Sequence, residues 1–561
     1  MAIFNRKVYA VIFCTLVVVV VVVVTVSVMI YRASLYKRPN CPEGTFEHAA
    51  VAADNVNCSK IATNILKKGG SAVDATIAAL LCTSIMNPQS AGIGGGAIFT
   101  IMNSSGNVMI INSRETAPSS VDRTLLKSCP EKPSQANGSK WIGVPGEIRG
   151  YELAHKLYGK LNWTDLFNET IKLAREGFHI PPVLGSYIAT INETKSLKKL
   201  YSDKNGNLLK TGDVIKFEKL ADTLELIANK GADAFYTGRV AKDLVDISGG
   251  DLTVKDLESY NATVTEAWDV PVGKEYRMYM PPPPSGGPLL SFILNFMMTK
   301  MTDYENKPAP QSFEDKTMFY DYYIQALKRA NKLKKCIRDP NFTPPEFLQK
   351  AEEMTDINSA NNIQDNCTRT KNNITCHESV GTTHVSAVDK NGMFVAVTSS
   401  INAVFGSKVY SPNTGILLNN HLWDFCGRVN KSIEEISPGE RPPSSMAPVV
   451  LKSNSKPESK MLAIGGSGGS MITTGIASAL INDLWFRKSL KEAIDTRVVY
   501  VDCDNKVNLE PSFDNNVIKE LEERGHELGN RFYNVVNAVE KKDGCISAVS
   551  DDRKLGEADG Y

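Results

Sequence analysis

Gly381-Thr382-Thr383-His384-Val385-Ser386-Ala387-Val388-Asp389 is the stretch on which the reading of this chain turns. Thr383 to Asp389 alternates apolar and polar side chains, Asn391-Gly392 is a turn pair, and Met393 to Ser399 alternates again. Period-two alternation on both sides of Asn-Gly predicts a β-hairpin. The hairpin follows a polar, Asn-rich segment, 352–378, that reads as a surface loop. A threonine hydroxyl is a poor nucleophile alone. It becomes competent when the chain is cut before it, because the new α-amine then serves as its base. Gly381 leaves the carbonyl at such a cut unshielded. Taken alone, Gly-Thr-Thr is an ordinary strand start.

Downstream, Met461 to Gly465 reads as a buried strand, Gly466-Ser467-Gly468-Gly469-Ser470 as a turn, and Met471 to Trp485 as an apolar helix. That order presents backbone N–H groups at a helix N-terminus, where negative charge is stabilised. No Lys-Ser/Thr pair follows, which excludes a phosphate loop and leaves an oxyanion site open. Upstream, Asp54 to Lys68 has helical period and stops at Gly69-Gly70. Ser71 caps a second, mostly apolar helix running toward Asn87-Pro88. Ala91 to Gly96 is glycine-rich, but it follows a helix and a proline and has Ala97 where a dinucleotide loop needs glycine. Close backbone packing or a tight turn is the better reading. A hairpin follows, Ala97 to Asn103 and Val108 to Asn112, with Arg114 just beyond it. Glu147 to Tyr158, Asp165 to Gly177 and Leu289 to Met298 read as helices.

The charge balance of the 561 residues is nearly neutral, +1, which gives no electrostatic reason to expect a nucleic-acid partner. With 42% apolar and 22% charged residues the chain is not disordered. There is no Gly-x-Ser-x-Gly elbow, no His-Glu-x-x-His, no Cys-x-x-Cys and no zinc spacing. Residues 8–31 carry no charge and include the run Val17 to Val24, long enough to cross a ~30 Å hydrocarbon core. Eleven Asn-x-Ser/Thr sequons all follow that segment: Asn57, Asn103, Asn137, Asn162, Asn168, Asn192, Asn261, Asn341, Asn366, Asn373 and Asn430. Of eleven cysteines only Cys14 lies within it; the other ten fit an oxidising compartment, with Cys41–Cys58 and Cys367–Cys376 near enough in sequence to pair. These features predict a single-pass type II protein at the plasma membrane. Its cytoplasmic tail is 1–7, its signal-anchor 8–31, its stalk 32–45, and its glycosylated bulk lies outside the cell.

Thr382-Thr383-His384-Val385-Ser386, Ser399-Ser400-Ile401-Asn402, Phe405-Gly406-Ser407, Gly415 to Asn420, Arg441-Pro442-Pro443-Ser444-Ser445-Met446 and Gly468-Gly469 occur in the order found in gamma-glutamyltransferases, which this chain resembles. Gly70 to Ala75, Asn112-Ser113-Arg114-Glu115, Val144 to Gly150 and the closing Ser550 to Tyr561 extend the resemblance over nearly the whole region after the stalk. The resemblance implies an α/β N-terminal-nucleophile (Ntn) hydrolase fold, a four-layer αββα sandwich. It implies one precursor that cuts itself between Gly381 and Thr382 into a large subunit, 46–381, and a small catalytic subunit, 382–561, both in one globule. Thr382 would then attack the γ-glutamyl amide of glutathione or its conjugates, and water, an amino acid or a dipeptide would take up the γ-glutamyl group.

By matched position, Gly468 and Gly469 supply the oxyanion donors, and Thr383 or Ser400 orients the nucleophile. Arg114 grips the glutamyl α-carboxylate with help from Ser444 and Ser445, and Asp424 and Asn402 bind the α-ammonium. No organic cofactor is expected. The family carries Thr where Ser400 stands, which keeps the hydroxyl. It carries Glu or Gln where His421 stands, followed by Met-Asp-Asp in place of Leu422-Trp423-Asp424. A neutral His only accepts a hydrogen bond and a charged one repels an ammonium, so weaker γ-glutamyl binding is expected, worse at acidic pH. Two rivals frame the test: a catalytically silent surface-binding glycoprotein, and a hydrolase of other amides. Arg114 and Asp424, one charge for each end of an amino acid, favour a free α-amino acid substrate over the latter.

Overall fold

The structure is a computed structural model describing residues 15–27, 29, 41–191, 194–301, 309–364, 367, 381–428, 435–454, 459–502, 504–530 and 535–561. Two antiparallel sheets lie face to face. The first orders its strands Asp559–Gly560, Ala50–Ala52, Gly381–Val388, Phe394–Asn402, Gly96–Met102, Val108–Asn112, Thr263–Glu266. The second orders Cys545–Val549, Val535–Lys542, Lys460–Ser467, Val449–Ser453, Tyr276–Met280, Trp268–Val272. Each sheet takes strands from both sides of Gly381, so the two expected subunits interleave rather than abut.

Strand periodicity sorts the core into three apolar layers. Val385, Ala387, Val395, Val397, Phe99 and Ile101 face outward, against helices Val56–Lys67, Ala72–Met86 and Glu147–Tyr158. Val388, Phe394 and Ala396 face inward and meet Val450, Ala463 and Val539 of the second sheet. The outer face of that sheet, with Leu451, Leu462, Ile464, Val536 and Ala538, packs on helices Gly287–Lys300 and Met471–Leu480. Helix, sheet, sheet, helix is the αββα architecture expected above. Helix Ala72–Met86, mostly apolar, is buried at every position, and a capping box starts it: Asp74 N–H donates to Ser71 Oγ (3.1 Å) and Ser71 N–H to Asp74 Oδ2 (2.9 Å).

Several boundaries differ from expectation. The first helix starts at Val56 under an Asn55 cap, which releases Asp54 from the helix. The α-helix that follows the glycine turn ends at Leu480 and gives way to a π-turn, Ile481–Trp485. The region 165–177 splits into a 3₁₀ turn, Trp163–Leu166, and a helix, Asn168–Glu176.

Both expected disulfides are corrected. Cys41 bonds Cys545, Cys58 bonds Cys82, Cys129 bonds Cys426 and Cys336 bonds Cys367. Sequence proximity misled because topology overrides it. Phe46 pairs with Ile546, bringing Cys41 to Cys545, and Cys58 and Cys82 face each other across two packed helices. Cys376 lies outside the described residues. The expected membrane span 8–31 lies partly outside them too; residues 15–27 are helical with Val17 to Val24 exposed. Among the described residues no helix is long and apolar enough to cross a membrane, so the span has no support there.

Candidate active site

Thr382, His384 and Ser386 share the period of Val388 and therefore point between the sheets. Gly381–Val388 pairs with Phe394–Asn402, setting Thr382 opposite Ser400. Thr382 Oγ1 donates to Ser400 Oγ at 3.2 Å, and Ser400 Oγ donates to the Gly381 carbonyl at 2.6 Å. The Ser400 hydroxyl thus joins the Thr382 hydroxyl to the carbonyl before it. Both side chains are buried. A register shift between Ser400 and Asn402 ends the ladder and turns Asn402 into the left-handed region, φ 76°.

That turn aims the Asn402 amide at Asp424: Nδ2 donates to Asp424 Oδ1 at 3.0 Å and to the Asn420 carbonyl at 3.2 Å. Asp424 lies in the 3₁₀ segment His421–Arg428, which the Cys129–Cys426 bond ties to the large-subunit side. Arg114 Nη2 donates to Asp424 Oδ2 at 2.5 Å, and the same guanidinium donates to the carbonyls of Pro443 (3.1 Å) and Pro442 (3.4 Å). The Arg114 backbone is pinned in turn. Its N–H donates to Asn112 Oδ1, and its carbonyl accepts from the Tyr260 hydroxyl and from Arg441. Ser444 is buried, Ser445 half-buried, and Ser444 Oγ accepts from the Met446 N–H at 3.1 Å. The run 441–446 therefore meets the Arg114 guanidinium with two carbonyls, and Ser444 and Ser445 follow directly in the chain.

Gly468 (φ 113°) and Gly469 (φ 60°) form the turn between Lys460–Ser467 and Met471–Leu480, with backbone that other residues rarely adopt. Among the described residues neither N–H donates a backbone hydrogen bond to the chain. The upstream glycines have a packing role. A Cβ on Gly95 would sit 2.2 Å from the Ser400 carbonyl, so only glycine lets this loop lie against the nucleophile's neighbour.

Thr383 departs from its place as one of the two offered orienting hydroxyls, and His421, which could face the substrate or point away as a structural residue, turns away. Thr383 does not reach the nucleophile; its Oγ1 donates to Asp54 Oδ2 at 2.6 Å. Alternation along the strand turns it to the opposite face from Thr382. His421 turns toward Glu115: Nδ1 and Oε1 are 2.9 Å apart, within ion-pair distance but without hydrogen-bond alignment, and both side chains are buried. Burial, then the neighbouring Arg114 charge, holds His421 below its ordinary pKa, so it stays neutral at lower pH than a free imidazole.

The sequence did not single out Asp54, Lys554 or Asn537. Lys554 Nζ donates to the Thr382 carbonyl (2.8 Å) and pairs with Asp54 Oδ2 (2.5 Å); Asn537 Nδ2 donates to Asp54 Oδ1 and to the His384 carbonyl, each at 2.8 Å. His384 is held by Thr398 Oγ1 (2.8 Å) and Ser386 Oγ (2.9 Å), and burial pushes it down to about pKa 3, so it is a neutral structural residue. These groups come from both ends of the chain, and no local spacing announces them. Among the described residues there is no cluster of three or more His, Cys, Asp or Glu able to hold a metal ion.

Comparisons with known proteins agree with this geometry. The family model described as gamma-glutamyltranspeptidase matches residues 58–561. A protein of Rattus norvegicus named glutathione hydrolase 5 proenzyme is 40% identical over 552 residues, covering 94% of this chain and 95% of that one. The Homo sapiens protein of the same name is 40% identical over 560 residues, covering 93% and 94%. Among solved structures, cephalosporin acylase from Bacillus halodurans superposes with a TM-score of 0.77 over 94% of this chain and 97% of its own, at 22% identity; that likeness concerns the fold.

Proposed function

The chain belongs to the gamma-glutamyltranspeptidase family, and we propose that it is a glutathione hydrolase and γ-glutamyltransferase using Thr382 as an N-terminal nucleophile. The observation that carries this reading is the chain Thr382 Oγ1, Ser400 Oγ, Gly381 carbonyl, set beside a paired Arg114 and Asp424. In maturation Thr382 Oγ1 attacks the Gly381 carbonyl carbon, the peptide C–N bond breaks, and water opens the resulting ester. The products are the large subunit, whose folded part is 46–381 and which still carries the segment before it, and the small subunit 382–561 with a free amine at Thr382. The proenzyme names of the relatives support this step.

In turnover the amine takes the Oγ1 proton as Oγ1 attacks the γ-glutamyl carbonyl. The negative oxygen is met by the Gly468 and Gly469 N–H groups, a contribution for which losing one donor typically costs ~10²–10³ in rate. The amide C–N bond breaks, and the proton passes to the leaving amine of Cys-Gly. Water or an acceptor amine then takes the acyl group by the reverse order of events, giving ping-pong kinetics. Arg114 offers a planar fork to the substrate α-carboxylate; Asp424 and Asn402 offer oxygens to the α-ammonium. Ser444 and Ser445 lie beside the carboxylate end. We include the signal-anchor 8–31 and an extracellular catalytic body in the proposal, supported by the valine run, the sequons after it and four disulfides.

The test is release of p-nitroaniline from γ-glutamyl-p-nitroanilide by the mature protein, with Thr382→Ala alongside. The parent is expected to hydrolyse the anilide and Thr382→Ala to do neither cleavage nor hydrolysis. A Thr382→Ala chain that is still cut and still active would overturn the proposal.

A further inference from the structure

Lys554 is the one ammonium in direct contact with Thr382 among the described residues, and its side chain is fully buried. It comes from the last turn before the C-terminal strand, where Asp551 caps a 3₁₀ segment, Asp552–Lys554, and Leu555 adopts φ 57°. Its partner Asp54 comes from the other end of the chain and is buried as well. Burying an ion pair gains little net stability over apolar replacements, so this placement is not explained by stability alone. What it does is set a cation one peptide unit from the amine that cleavage would free at Thr382.

Resting on the self-cleaving threonine reading above, we propose that Lys554 is a positioning residue: by donating to the Thr382 carbonyl it fixes the new N-terminus beside Oγ1 and holds its amine in the neutral, proton-accepting form. A free α-amine ordinarily titrates near pH 7.7–8.0, so at neutral pH most of it would carry a proton and be useless as a base. A nearby cation favours the neutral amine. Asp54 partly offsets that charge, and its other contacts, from Thr383 and Asn537, hold it where it does so. Among the described residues, other titratable groups linked to this network are His384 on the same strand, held neutral; Asp424, bonded to Asn402 and Arg114; and Asp551, which accepts from Val536 N–H and Arg553.

The experiment uses the full chain and compares the acid limb of the pH profile of kcat/KM, with γ-glutamyl-p-nitroanilide, for the parent, Lys554→Met, Lys554→Arg and Asp54→Asn. The cleaved fraction of Lys554→Met is expected to show its limb about one pH unit higher, about tenfold less activity at pH 7, and a KM within about twofold of the parent. Lys554→Arg is expected to restore the parent limb. Asp54→Asn, which unmasks the cation, is expected to move the limb down, and it decides the matter if Lys554→Met fails to fold. An unshifted limb in Lys554→Met, or in Asp54→Asn when that is the variant in hand, overturns the proposal. A parent that neither cleaves itself nor releases p-nitroaniline instead defeats the threonine reading on which it stands.

Discussion

Arg114 and Asp424 bond each other directly at 2.5 Å, the guanidinium 2% and the carboxylate 17% exposed. The two groups neutralise one another, so under the proposed function a zwitterionic substrate would exchange one ion pair for two. This arrangement keeps neither charge buried alone, which would cost several kcal/mol.

Replacing either partner should therefore act mainly on substrate capture. For Arg114→Lys the bidentate fork is lost; for Asp424→Asn the charge is lost but the hydrogen bond to Asn402 is kept. Each is expected to lower kcat/KM by about tenfold to 150-fold, corresponding to ~1.5–3 kcal/mol for a charged hydrogen bond, with self-cleavage intact. Steady-state kinetics on the cleaved protein checks this; a KM unchanged in both variants would contradict it.

The disulfides predict how the subunits migrate. Cys41–Cys545 and Cys129–Cys426 each join a residue before Gly381 to one after Thr382. A self-cleaved protein should run as one species on a denaturing gel without reductant and as two with it, the smaller beginning at Thr382. Two species without reductant would show that these bonds are absent from the mature protein.

His421 is expected to matter through Glu115. His421→Ala would open a cavity in the buried pocket beside Glu115 and should cost about 0.5–3 kcal/mol of stability, read as a lower denaturant midpoint. His421→Glu would set a second carboxylate against Glu115, so the expectation that it tightens γ-glutamyl binding holds only where Glu115 yields. Measuring KM for His421→Gln and His421→Glu together separates the cases: binding improved in the first alone places the limit at that repulsion.

Glu147 and His384 give stability an opposed pH dependence. Burial raises Glu147 from 4.5 to about 8, so the fold holds a proton that the unfolded chain gives up; its contribution is full below about pH 4.5 and is lost as pH rises through 8. Burial lowers His384 from 6.5 to about 3, so the unfolded chain binds a proton the fold refuses, and stability is lost as pH falls from 6.5 toward 3. The two slopes, each ~1.4 kcal/mol per pH unit at most, oppose each other between about pH 4.5 and 6.5. Glu147→Gln keeps the acceptor for the Tyr151 hydroxyl and should flatten the decline in Tm between pH 6.5 and 8. A parallel decline in parent and variant would count against a protonated Glu147.

Much of the fold was legible because it rests on local periods. The alternation of 383–399 around Asn391-Gly392 fixed a hairpin, and the Ser71 cap and apolar run fixed a buried helix, since both follow from which faces must leave water. The same alternation put Thr382 and Thr383 on opposite faces, which a reading of side-chain chemistry alone overlooked when it offered Thr383 as the orienting hydroxyl. Of the candidate site, Arg114, Asn402, Asp424 and the serines came from matched motifs, and the tertiary structure bonds Arg114 and Asn402 to Asp424.

The linear chain by itself determined the strands, the glycine turns and the residue types available for acyl transfer, because backbone geometry and side-chain period act over a few neighbours. Only the tertiary structure decided that Lys554 and Asp54, 500 positions apart, meet beside Thr382, that Cys41 bonds Cys545, and that His421 turns to Glu115. These contacts join residues far apart in the chain, and which distant groups meet is set by how the sheets and helices assemble rather than by any stretch of sequence.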